Sequence, residues 1–356
     1  MNMGGTEKML MTLLRMQPPW KSIFLSYDRA AGGFDQEIRR LGAEVMSLSH
    51  PRSFAAHYQL FRKVKPAAVH AHTLFQSGVP LAAAKAAGVP IRIVHAHTTA
   101  DPSDKKGRKI YERLMRACIT ASATDFLACS QSAGNYLFAG KSFHIMPNLF
   151  NPEPFKRPSE AAIHELKQRH GWDDKLVIGS VGRLTKVKNH SFMLDILAAL
   201  LQRGVNAGLL IVGDGDQLEI LKQRAEEMSL THAVTFTGAV EEPSIYYHMM
   251  DVFLMPSIFE GLGIAALEAQ TSFTPVLGSQ ALQPEADLGG GLLHRLPLSE
   301  GSAIWAEKIC ELANQEYLPI SRALTYWNQS DILEMYQELY QWKGDTSDKR
   351  AAHHII

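Results

Sequence analysis

Long apolar runs, net charge and abundant cysteine are all missing from this sequence of 356 residues. No stretch of 18 apolar residues occurs, so no membrane-spanning helix is predicted. The first residues lack the basic and then apolar pattern of a secretory signal, so we expect none. Cys118, Cys129 and Cys310 have neither a zinc nor a disulfide spacing and are expected to act as small hydrophobic side chains. These absences predict a cytoplasmic protein.

The zero net charge conceals an uneven distribution of charge along the chain. Residues 1–150 contain 19 Lys and Arg against 9 Asp and Glu, a balance of +10, and residues 151–356 contain 17 against 27, a balance of −10. A basic N-terminal half suits an anionic membrane surface or acceptor, and the basic segment 105–116 is the candidate for that contact. Attraction between the two halves is an alternative explanation. No nucleic-acid partner is predicted.

Short apolar runs alternate with helical patterns throughout the chain, which is typical of parallel, doubly wound α/β domains. Length and a hydrophobic content of 46% predict two domains of ordinary size. The proline-containing stretch 148–158 is the best linker candidate. We therefore predict two Rossmann-like domains, over residues 1–150 and 160–317, that face a cleft. The last strand of the second domain is expected at 275–277.

A Gly-Gly turn, Met3-Gly4-Gly5-Thr6-Glu7, comes directly before an apolar helical pattern at residues 9–16. A phosphate-facing turn at the start of a helix usually follows a strand, and no strand pattern precedes this one. We therefore expect the first strand to be missing from this sequence, which would leave the N-terminal sheet without a central strand.

Residues 257–269 form the strongest functional candidate. An apolar run at 251–255 predicts a buried strand, which a glycine-flanked turn and an alanine-rich helix follow. Glu260 and Glu268 frame this unit, and eight helical residues would separate them by about 12 Å. The N–H groups expected to bind an anion between them belong to Gly261, Leu262, Gly263 and Ile264. Either glutamate alone is more commonly a solvated or paired side chain, so the spacing and setting carry the hypothesis.

Two other loops of the C-terminal half follow predicted strands. One contains Arg183 and Lys188, which suit phosphate, although such a loop alone is more often simply solvated. The other, Gly213-Asp214-Gly215-Asp216, contains the Asp-x-Asp pattern of Mg²⁺ binding, but so short a pattern often arises by chance and a turn is favoured. Position 218 is Leu, so the G-x-G-x-x-G sequence of dinucleotide binding is absent.

Two histidine pairs, His70 with His72 and His95 with His97, end two predicted strands. Each pair shares one face of its strand. Four histidines could bind zinc, but no nearby carboxylate pattern supports this, so a hydrogen-bonded structural role is favoured for each ring and no metal site is predicted. His97 is the strongest functional candidate, because the loop after it opens toward the predicted cleft.

Taken together, these motifs resemble the retaining nucleotide-sugar glycosyltransferases of family 4, which have the GT-B fold, and in particular the bacterial exopolysaccharide and capsule branch. The resemblance extends from residue 2 to about residue 315 and implies that a helix over about 318–343 packs back on the N-terminal domain. The motifs that carry it are Met3-Gly4-Gly5-Thr6-Glu7, Val69-His70-Ala71-His72, His95-Ala96-His97-Thr98, Met146-Pro147-Asn148, Gly182-Arg183 with Lys188-Asn189-His190, Gly213-Asp214-Gly215, and Glu260 with Glu268.

The resemblance also implies roles for individual residues. His97 and Glu260 are expected to be catalytic and to contact the donor sugar, Glu268 to bind the ribose, and Arg183 and Lys188 to neutralise the diphosphate. The remaining donor-binding residues are expected to be Gly4, Gly5, Gly261, Leu262 and Gly263. Close relatives often carry a bulkier residue at the position of Gly263, so a different sugar pocket is expected. Enzymes of this family need no metal or other cofactor.

The predicted function is therefore transfer of a hexose from a UDP-sugar to a lipid-linked saccharide, with retention, in exopolysaccharide or capsule synthesis. We expect a cytoplasmic enzyme that attaches peripherally to the inner face of the plasma membrane. Two alternatives remain open. One is a nucleotide-sugar epimerase on the same fold, and the other is an inactive nucleotide-sugar-binding subunit.

Overall fold

The structure, a computed structural model, describes residues 5–27, 32–100, 107–146, 148–155, 157–317, 329–340 and 353–356. The chain divides into two compact units. Met1–Phe150 with Trp327–Ile356 form the N-terminal unit, and Asn151–Tyr326 form the C-terminal unit. Each unit contains a parallel sheet with helices, so the prediction of two Rossmann-like, doubly wound α/β domains is confirmed.

The described strands are β1 (Lys21–Ser26), β2 (Glu44–Ser47), β3 (Ala68–Ala71), β4 (Ile91–Ala96), β5 (Asp125–Ala128), β6 (His144–Ile145), β7 (Leu176–Val181), β8 (Ala207–Val212), β9 (Val234–Gly238), β10 (Val252–Met255), β11 (Val276–Ser279), β12 (Leu293–Leu296) and β13 (His353–Ile355). The described α-helices are α1 (Gly5–Arg15), α2 (Asp35–Arg40), α3 (Phe54–Val64), α4 (Gly78–Ala87), α5 (Arg108–Ser122), α6 (Gln131–Phe138), α7 (Glu160–Arg169), α8 (His190–Gln202), α9 (Leu218–Glu227), α10 (Ser244–Met249), α11 (Ile264–Thr271), α12 (Gly301–Ala313) and α13 (Gln329–Leu339). None of these helices combines the length and apolar character needed to cross a membrane.

The N-terminal sheet has a central strand from the far end of the chain. Its order is β2-β1-β13-β3-β4-β5-β6, and β13 pairs in parallel with both β1 and β3. Ile356 extends this pairing, because its N–H donates to the carbonyl oxygen of Ile23 at 2.9 Å and its own carbonyl accepts from the N–H of Leu25 at 3.0 Å. The expectation of a sheet without a central strand is therefore wrong. The backbone edges of β1 and β3 need hydrogen-bond partners, and the C-terminal residues provide them.

The core of the N-terminal unit also joins distant parts of the chain. Buried residues of α1, such as Leu10 and Leu13, share one apolar cluster with Trp20, Tyr336 and Tyr340. The two tyrosines belong to α13 and the residue that follows it. Of the helix expected over about 318–343, residues 318–328 and 341–343 lie outside the described residues. The remaining part packs within the N-terminal unit.

The C-terminal sheet has the strand order β12-β11-β10-β7-β8-β9, and all its pairs are parallel. The strand predicted at 275–277 is present as β11, but the prediction that it is the last of this unit is wrong, because β12 follows it at the edge of the sheet. β12 contains His294 and Arg295 and is only partly buried, so it lacks the apolar run that marks an inner strand. The chain runs to one side of β7 through β8 and β9, and to the other side through β10. The carboxyl ends of β7 and β10 thus form the switch point where open α/β sheets bind ligands.

Candidate active site

The loops that follow β7 and β10 are joined by several hydrogen bonds at the switch point. The side-chain amide of Asn189 donates to the carbonyl of Pro256 at 3.1 Å, and the N–H of Ile258 donates to the carbonyl of Val187 at 2.8 Å. These bonds form because β7 and β10 are neighbours in the sheet and end at the same edge. They hold the basic loop after β7 against the acidic loop after β10.

Lys188 and Glu260, predicted to bind the diphosphate and the sugar, form an ion pair across these two loops. The hydroxyl of Ser257 donates to Oε1 of Glu260 at 2.8 Å. The Glu260 side chain is 9% exposed and that of Lys188 is 29% exposed, so solvent screens the pair only in part. The structure thus brings two of the predicted site residues into direct contact.

Glu268 lies in the second turn of α11, and its side chain is buried. The hydroxyl of Tyr247 in α10 donates to its carboxylate. Burial, and then the charge of Glu268, hold the pKa of Tyr247 well above its usual value, so this hydroxyl keeps its proton. Because α11 begins only at Ile264, Glu260 precedes the helix, and the estimate of about 12 Å for eight helical residues does not apply.

Gly263 is required at the start of α11 for two reasons. Its φ of +89° lies in the left-handed region, and a Cβ atom would lie 2.3 Å from Cδ1 of Leu282. As the residue that precedes the helix, glycine has no side chain to accept from the first-turn N–H groups. Gly261 and the buried Leu262 lead into this turn. Local backbone geometry therefore explains the glycine at position 263.

The Gly-Asp-Gly motif after β8 permits a close approach to the loop after β7. A Cβ at Gly213 would lie 1.9 Å from the carbonyl oxygen of Gly182, and one at Gly215 would lie 2.4 Å from that of Leu184. Asp214 is exposed, and its carboxylate accepts from the N–H of Gly215 at 2.7 Å. The glycines thus fix the path of the loop that carries the predicted phosphate ligand Arg183. Arg183 itself is exposed, and the described residues provide no salt bridge to it.

His190 is a residue of this region to which sequence reasoning assigned no role. It lines a small pocket at the ends of β7 and β10, together with Gly182, Lys188, Met255 and Ser257. Its side chain is buried, and no described residue bonds to its Nδ1 atom. Burial, and then the charge of Lys188, lower the pKa of His190 to about 4. The only signal for it in the sequence was its place in the motif Lys188-Asn189-His190.

The N-terminal unit brings its four predicted histidines together at the carboxyl ends of β3 and β4. Nδ1 of His72 lies 2.8 Å from Nε2 of His97, whose Nδ1 lies 2.8 Å from Oδ1 of Asn148. Nε2 of His95 lies 3.2 Å from the carbonyl oxygen of Met146. Nδ1 of His70 lies 2.9 Å from the hydroxyl of Tyr340, which is 270 positions away in the chain. The predicted hydrogen-bonded role therefore holds for each ring.

All four rings are neutral at pH 7, because burial is the main influence on them. It lowers the pKa of His97 to about 4, against a smaller opposing effect of the bond to Asn148. The pKa values of His70, His72 and His95 are also far below the usual value, first through burial and then through the neighbouring rings. His97 is thus a neutral ring that donates from Nδ1 to Asn148.

The Gly-Gly turn falls at the edge of the described residues. Gly4 lies outside them, and Gly5 is the exposed first residue of α1. The site residues thus form two groups, one in each unit. Lys188, Glu260 and Glu268 belong to the C-terminal unit, and His97 belongs to the N-terminal unit.

Comparisons with known proteins identify the family. The family model described as glycosyl transferases group 1 matches residues 162–287, and the glycosyl transferase 4-like domain matches residues 24–143. EpsF of Bacillus subtilis (strain 168), which is assigned as a glycosyltransferase, is 37% identical over 331 residues, which are 88% of this chain and 85% of EpsF. The chain belongs to the group 1 glycosyltransferases. The predicted enzyme class, a glycosyltransferase of the family 4 type, is thereby confirmed.

Other matches extend over most of the chain. A capsular polysaccharide biosynthesis glycosyltransferase of Staphylococcus aureus, CapH, is 27% identical over 281 residues, 76% of each chain. The crystal structure of Anabaena HepE in complex with UDP superimposes with a TM-score of 0.76 at 20% identity over 95% of this chain and 96% of that one. Sucrose-phosphate synthase from Thermosynechococcus elongatus gives 0.65 at 16% identity over 90% and 98%. These two structures confirm the GT-B fold of this glycosyltransferase.

Proposed function

We propose that this glycosyltransferase transfers a hexose from a UDP-sugar to a lipid-linked saccharide during exopolysaccharide or capsule synthesis, with retention and without a metal ion. CapH supports the polysaccharide assignment by its name, at 27% identity over 76% of this chain. HepE, a structural neighbour, was solved with UDP and with UDP-glucose, which supports a UDP-sugar as the donor.

The observation that carries the proposal is the contact between Lys188 and Glu260 at the switch point of the C-terminal sheet. A UDP-sugar has phosphates flanked by two sets of hydroxyl groups. Lys188, with the exposed Arg183, suits the phosphates, and the N-terminus of α11 suits the same anion. The carboxylates of Glu260 and Glu268 suit the hydroxyls on either side.

The proposed reaction needs no separate general base. The bond between sugar C1 and the diphosphate oxygen breaks, the acceptor oxygen bonds to C1 from the same face, and the acceptor proton passes to the leaving phosphate. Arg183, Lys188 and the α11 N–H groups stabilise the negative charge that develops on the diphosphate. We propose His97 and Glu260 as the catalytic residues that contact the donor sugar.

We propose that α5 attaches the enzyme to the cytoplasmic face of an anionic membrane. Ile110 and Leu114, one turn apart on this helix, are 65% and 58% exposed, and the exposed Lys109 and Arg113 lie beside them in the chain. Apolar and basic side chains on one helix are the combination that binds an anionic lipid interface. Such attachment would bring the enzyme to a lipid-linked acceptor.

The first test is calorimetric titration with UDP in the presence of a chelator. Wild type is expected to bind, and Glu268→Gln and Lys188→Ala are each expected to weaken binding by about 1.5–3 kcal/mol, the value of a charge-assisted hydrogen bond. The matched controls are Glu226→Gln and Lys186→Ala, which change exposed residues of the same unit. Folded wild-type protein that does not bind UDP would overturn the donor site.

Transfer is tested next with a panel of UDP-sugars and a lipid-linked acceptor. Glu260→Gln and His97→Asn are expected to lower the rate of transfer far more than they lower UDP affinity. Turnover of the UDP-sugar without acceptor would favour an epimerase. UDP binding with no reaction under any of these conditions would favour an inactive binding subunit.

Membrane attachment is tested by flotation with phosphatidylglycerol vesicles at low salt. Ile110→Asp and Leu114→Asp are expected to release the protein from the vesicles. The control is Ile220→Asp, because Ile220 is 58% exposed on α9 of the other unit. Equal release by the control variant, or no vesicle binding by wild type, would remove α5 from the proposal.

A further inference from the structure

The N-terminal unit contains a cavity of about 290 Å³ at the carboxyl ends of β1 and β3. A concave site of this size, with an apolar lining and a few polar groups, is typical of small-molecule binding. Of the described residues, none that we propose to bind the donor lines it. The apolar side chains that line it come from distant parts of the chain, and each is at most 7% exposed: Leu10, Phe24, Phe61, Val69 and Ile355.

The charge of this cavity disfavours anionic ligands. Its described lining contains no lysine or arginine. The two histidines in that lining, His70 and His72, are neutral at pH 7 because burial lowers their pKa values. Glu7 of α1, which is partly buried, therefore has no described cation beside it in the lining. A carboxylate in this setting repels a second carboxylate or a phosphate and attracts hydrogen-bond donors.

The hydrogen bonds of Tyr27, another lining residue, leave its oxygen as an acceptor. Burial lowers the pKa of His57, so this ring is neutral, and it donates from Nδ1 to the carbonyl oxygen of Ser53 at 2.8 Å. Nε2 of His57 then has a lone pair, to which the hydroxyl of Tyr27 donates at 3.0 Å. Burial also raises the pKa of Tyr27 to about 12, so the proton stays on it. Tyr27 and Glu7 thus both call for an O–H or N–H group on the ligand.

His70 and His72 add polar atoms that have no partner. Both residues line the cavity, and Nε2 of each is buried and makes no hydrogen bond to a described residue. Unsatisfied buried polar atoms are rare in proteins, so a ligand hydroxyl that reaches either ring would be stabilised. Nδ1 of His72 lies 2.8 Å from Nε2 of His97, which we propose to contact the donor sugar. The cavity is thus one side chain away from a proposed catalytic residue.

We infer that this cavity binds the terminal residue of the acceptor saccharide and selects an uncharged, N-acetylated amino sugar. The N-acetyl group provides an N–H donor for Tyr27 or Glu7 and a methyl group for the apolar lining. The ring hydroxyls provide further donors. The volume suits one sugar residue and not the lipid chain of a lipid-linked acceptor. This inference rests on the proposed transferase function, because it takes the acceptor to be a saccharide.

The test is ligand-observed NMR titration, without nucleotide, with methyl glycosides of N-acetylglucosamine and N-acetylgalactosamine, of the two parent hexoses and of glucuronic acid. Wild type is expected to bind one N-acetylated glycoside at least about tenfold more tightly than its parent hexoside, through one hydrogen bond and one buried methyl group. The glucuronide is expected to bind most weakly. Tyr27→Phe and Glu7→Gln are each expected to weaken binding of the N-acetylated glycoside about fivefold. Glu7→Gln should also bring the glucuronide closer to the glucoside.

Two residues of the same unit provide matched controls. Tyr58 is partly buried on α3, Glu44 is exposed on β2, and neither lines the cavity. Tyr58→Phe and Glu44→Gln are expected to keep the affinity of wild type. If Tyr27→Phe does not fold because Nε2 of His57 loses its partner, Glu7→Gln provides the test.

Two results would overturn the assignment of the cavity. One is equal binding of the N-acetylated and parent glycosides, and the other is unchanged affinity and unchanged discrimination in Glu7→Gln. Because no nucleotide is present, these results are separate from the proposed donor site. Wild type that binds UDP but none of the glycosides would overturn this inference alone. Wild type that binds the glycosides but not UDP would overturn the donor site alone.

Discussion

The candidate site residues of the two units are held in place by different kinds of interaction. In the C-terminal unit, charged side chains on loops after neighbouring strands pair with each other, as Lys188 does with Glu260. In the N-terminal unit, neutral histidines are held in a buried network, and His70 bonds to Tyr340, 270 positions away. The first arrangement joins two short motifs that lie 72 positions apart in the same unit. In the second, the bonds of His72, His95 and His97 stay within the first 150 residues, and the bond of His70 joins it to the far end of the chain.

The largest expected loss of stability comes from a substitution in β13, and it tests how far the N-terminal unit depends on residues from the other end of the chain. Ile355 of β13 is 2% exposed and packs in a core cluster with Ile23, Phe61 and Val69. Ile355→Asp buries a charge in the central strand and is expected to destabilise the N-terminal unit by about 4 kcal/mol or more. Urea unfolding measures the loss, and UDP titration checks that the C-terminal unit still binds.

The control for this substitution is Ile145→Asp on the edge strand β6, where the isoleucine is 39% exposed. It is expected to have a small effect. Similar small losses for both variants would show that residues 353–355 do not fill the centre of the sheet, and the contrast between the two units would disappear.

An acid-dependent loss of stability is expected in the C-terminal unit from His190. Its pKa is about 4 in the folded protein and about 6.5 when unfolded, so the unfolded chain binds the extra proton first. Stability from this group is complete above pH 6.5 and is lost as pH falls from about 6.5 to about 4, by at most about 3 kcal/mol. Urea unfolding across this range is the measurement.

The variant His190→Gln should remove this pH dependence, whereas His232→Gln, at an exposed histidine of the same unit, should leave it unchanged. A pH profile that is the same in His190→Gln and wild type would assign the acid sensitivity to other groups. It would also mean that burial does not keep His190 neutral in the way that it keeps the histidines of the N-terminal unit neutral.

The next largest expected loss of stability concerns Gly263, the residue just before α11. Gly263→Ala combines a left-handed φ of +89° with a Cβ position 2.3 Å from Leu282, and is expected to cost about 2–3 kcal/mol. Gly204→Ala has a φ of +78° and nothing within 4 Å of the new Cβ, so only the backbone contributes, about 1 kcal/mol. Thermal unfolding compares the two variants. Equal losses would show that Leu282 moves aside and that the local motif is less constrained than its geometry indicates.

The smallest expected effect concerns Tyr247, which positions Glu268 through its hydroxyl. Tyr247→Phe is expected to weaken UDP binding by up to about tenfold, because a typical hydrogen bond contributes about 1 kcal/mol. Tyr246→Phe changes the adjacent tyrosine and should leave UDP affinity unchanged. Calorimetric titration of both variants decides whether Glu268 needs this support. An unchanged affinity in Tyr247→Phe would leave Glu268 positioned by its helix alone.

Much of the C-terminal unit could be predicted because its signals are local. The run from β10 into α11 is an apolar strand, a glycine turn and a helix in sequence, and its geometry requires glycine at position 263. The edge strand β12 was missed because partial burial allows polar residues such as His294 and Arg295. The exact start of α11, after Glu260, also depends on packing around Leu282 that no local pattern encodes.

By itself the sequence determined the fold class, the family motifs and the residues that carry charge, because alternating apolar runs and short loops act through neighbours in the chain. Only the tertiary structure decided that His353–Ile355 form a central strand and that Nδ1 of His70 lies 2.9 Å from the hydroxyl of Tyr340. Both depend on hydrogen bonds between residues up to hundreds of positions apart. Such bonds are set by which strand edges and ring nitrogens remain to be satisfied once the sheet has formed.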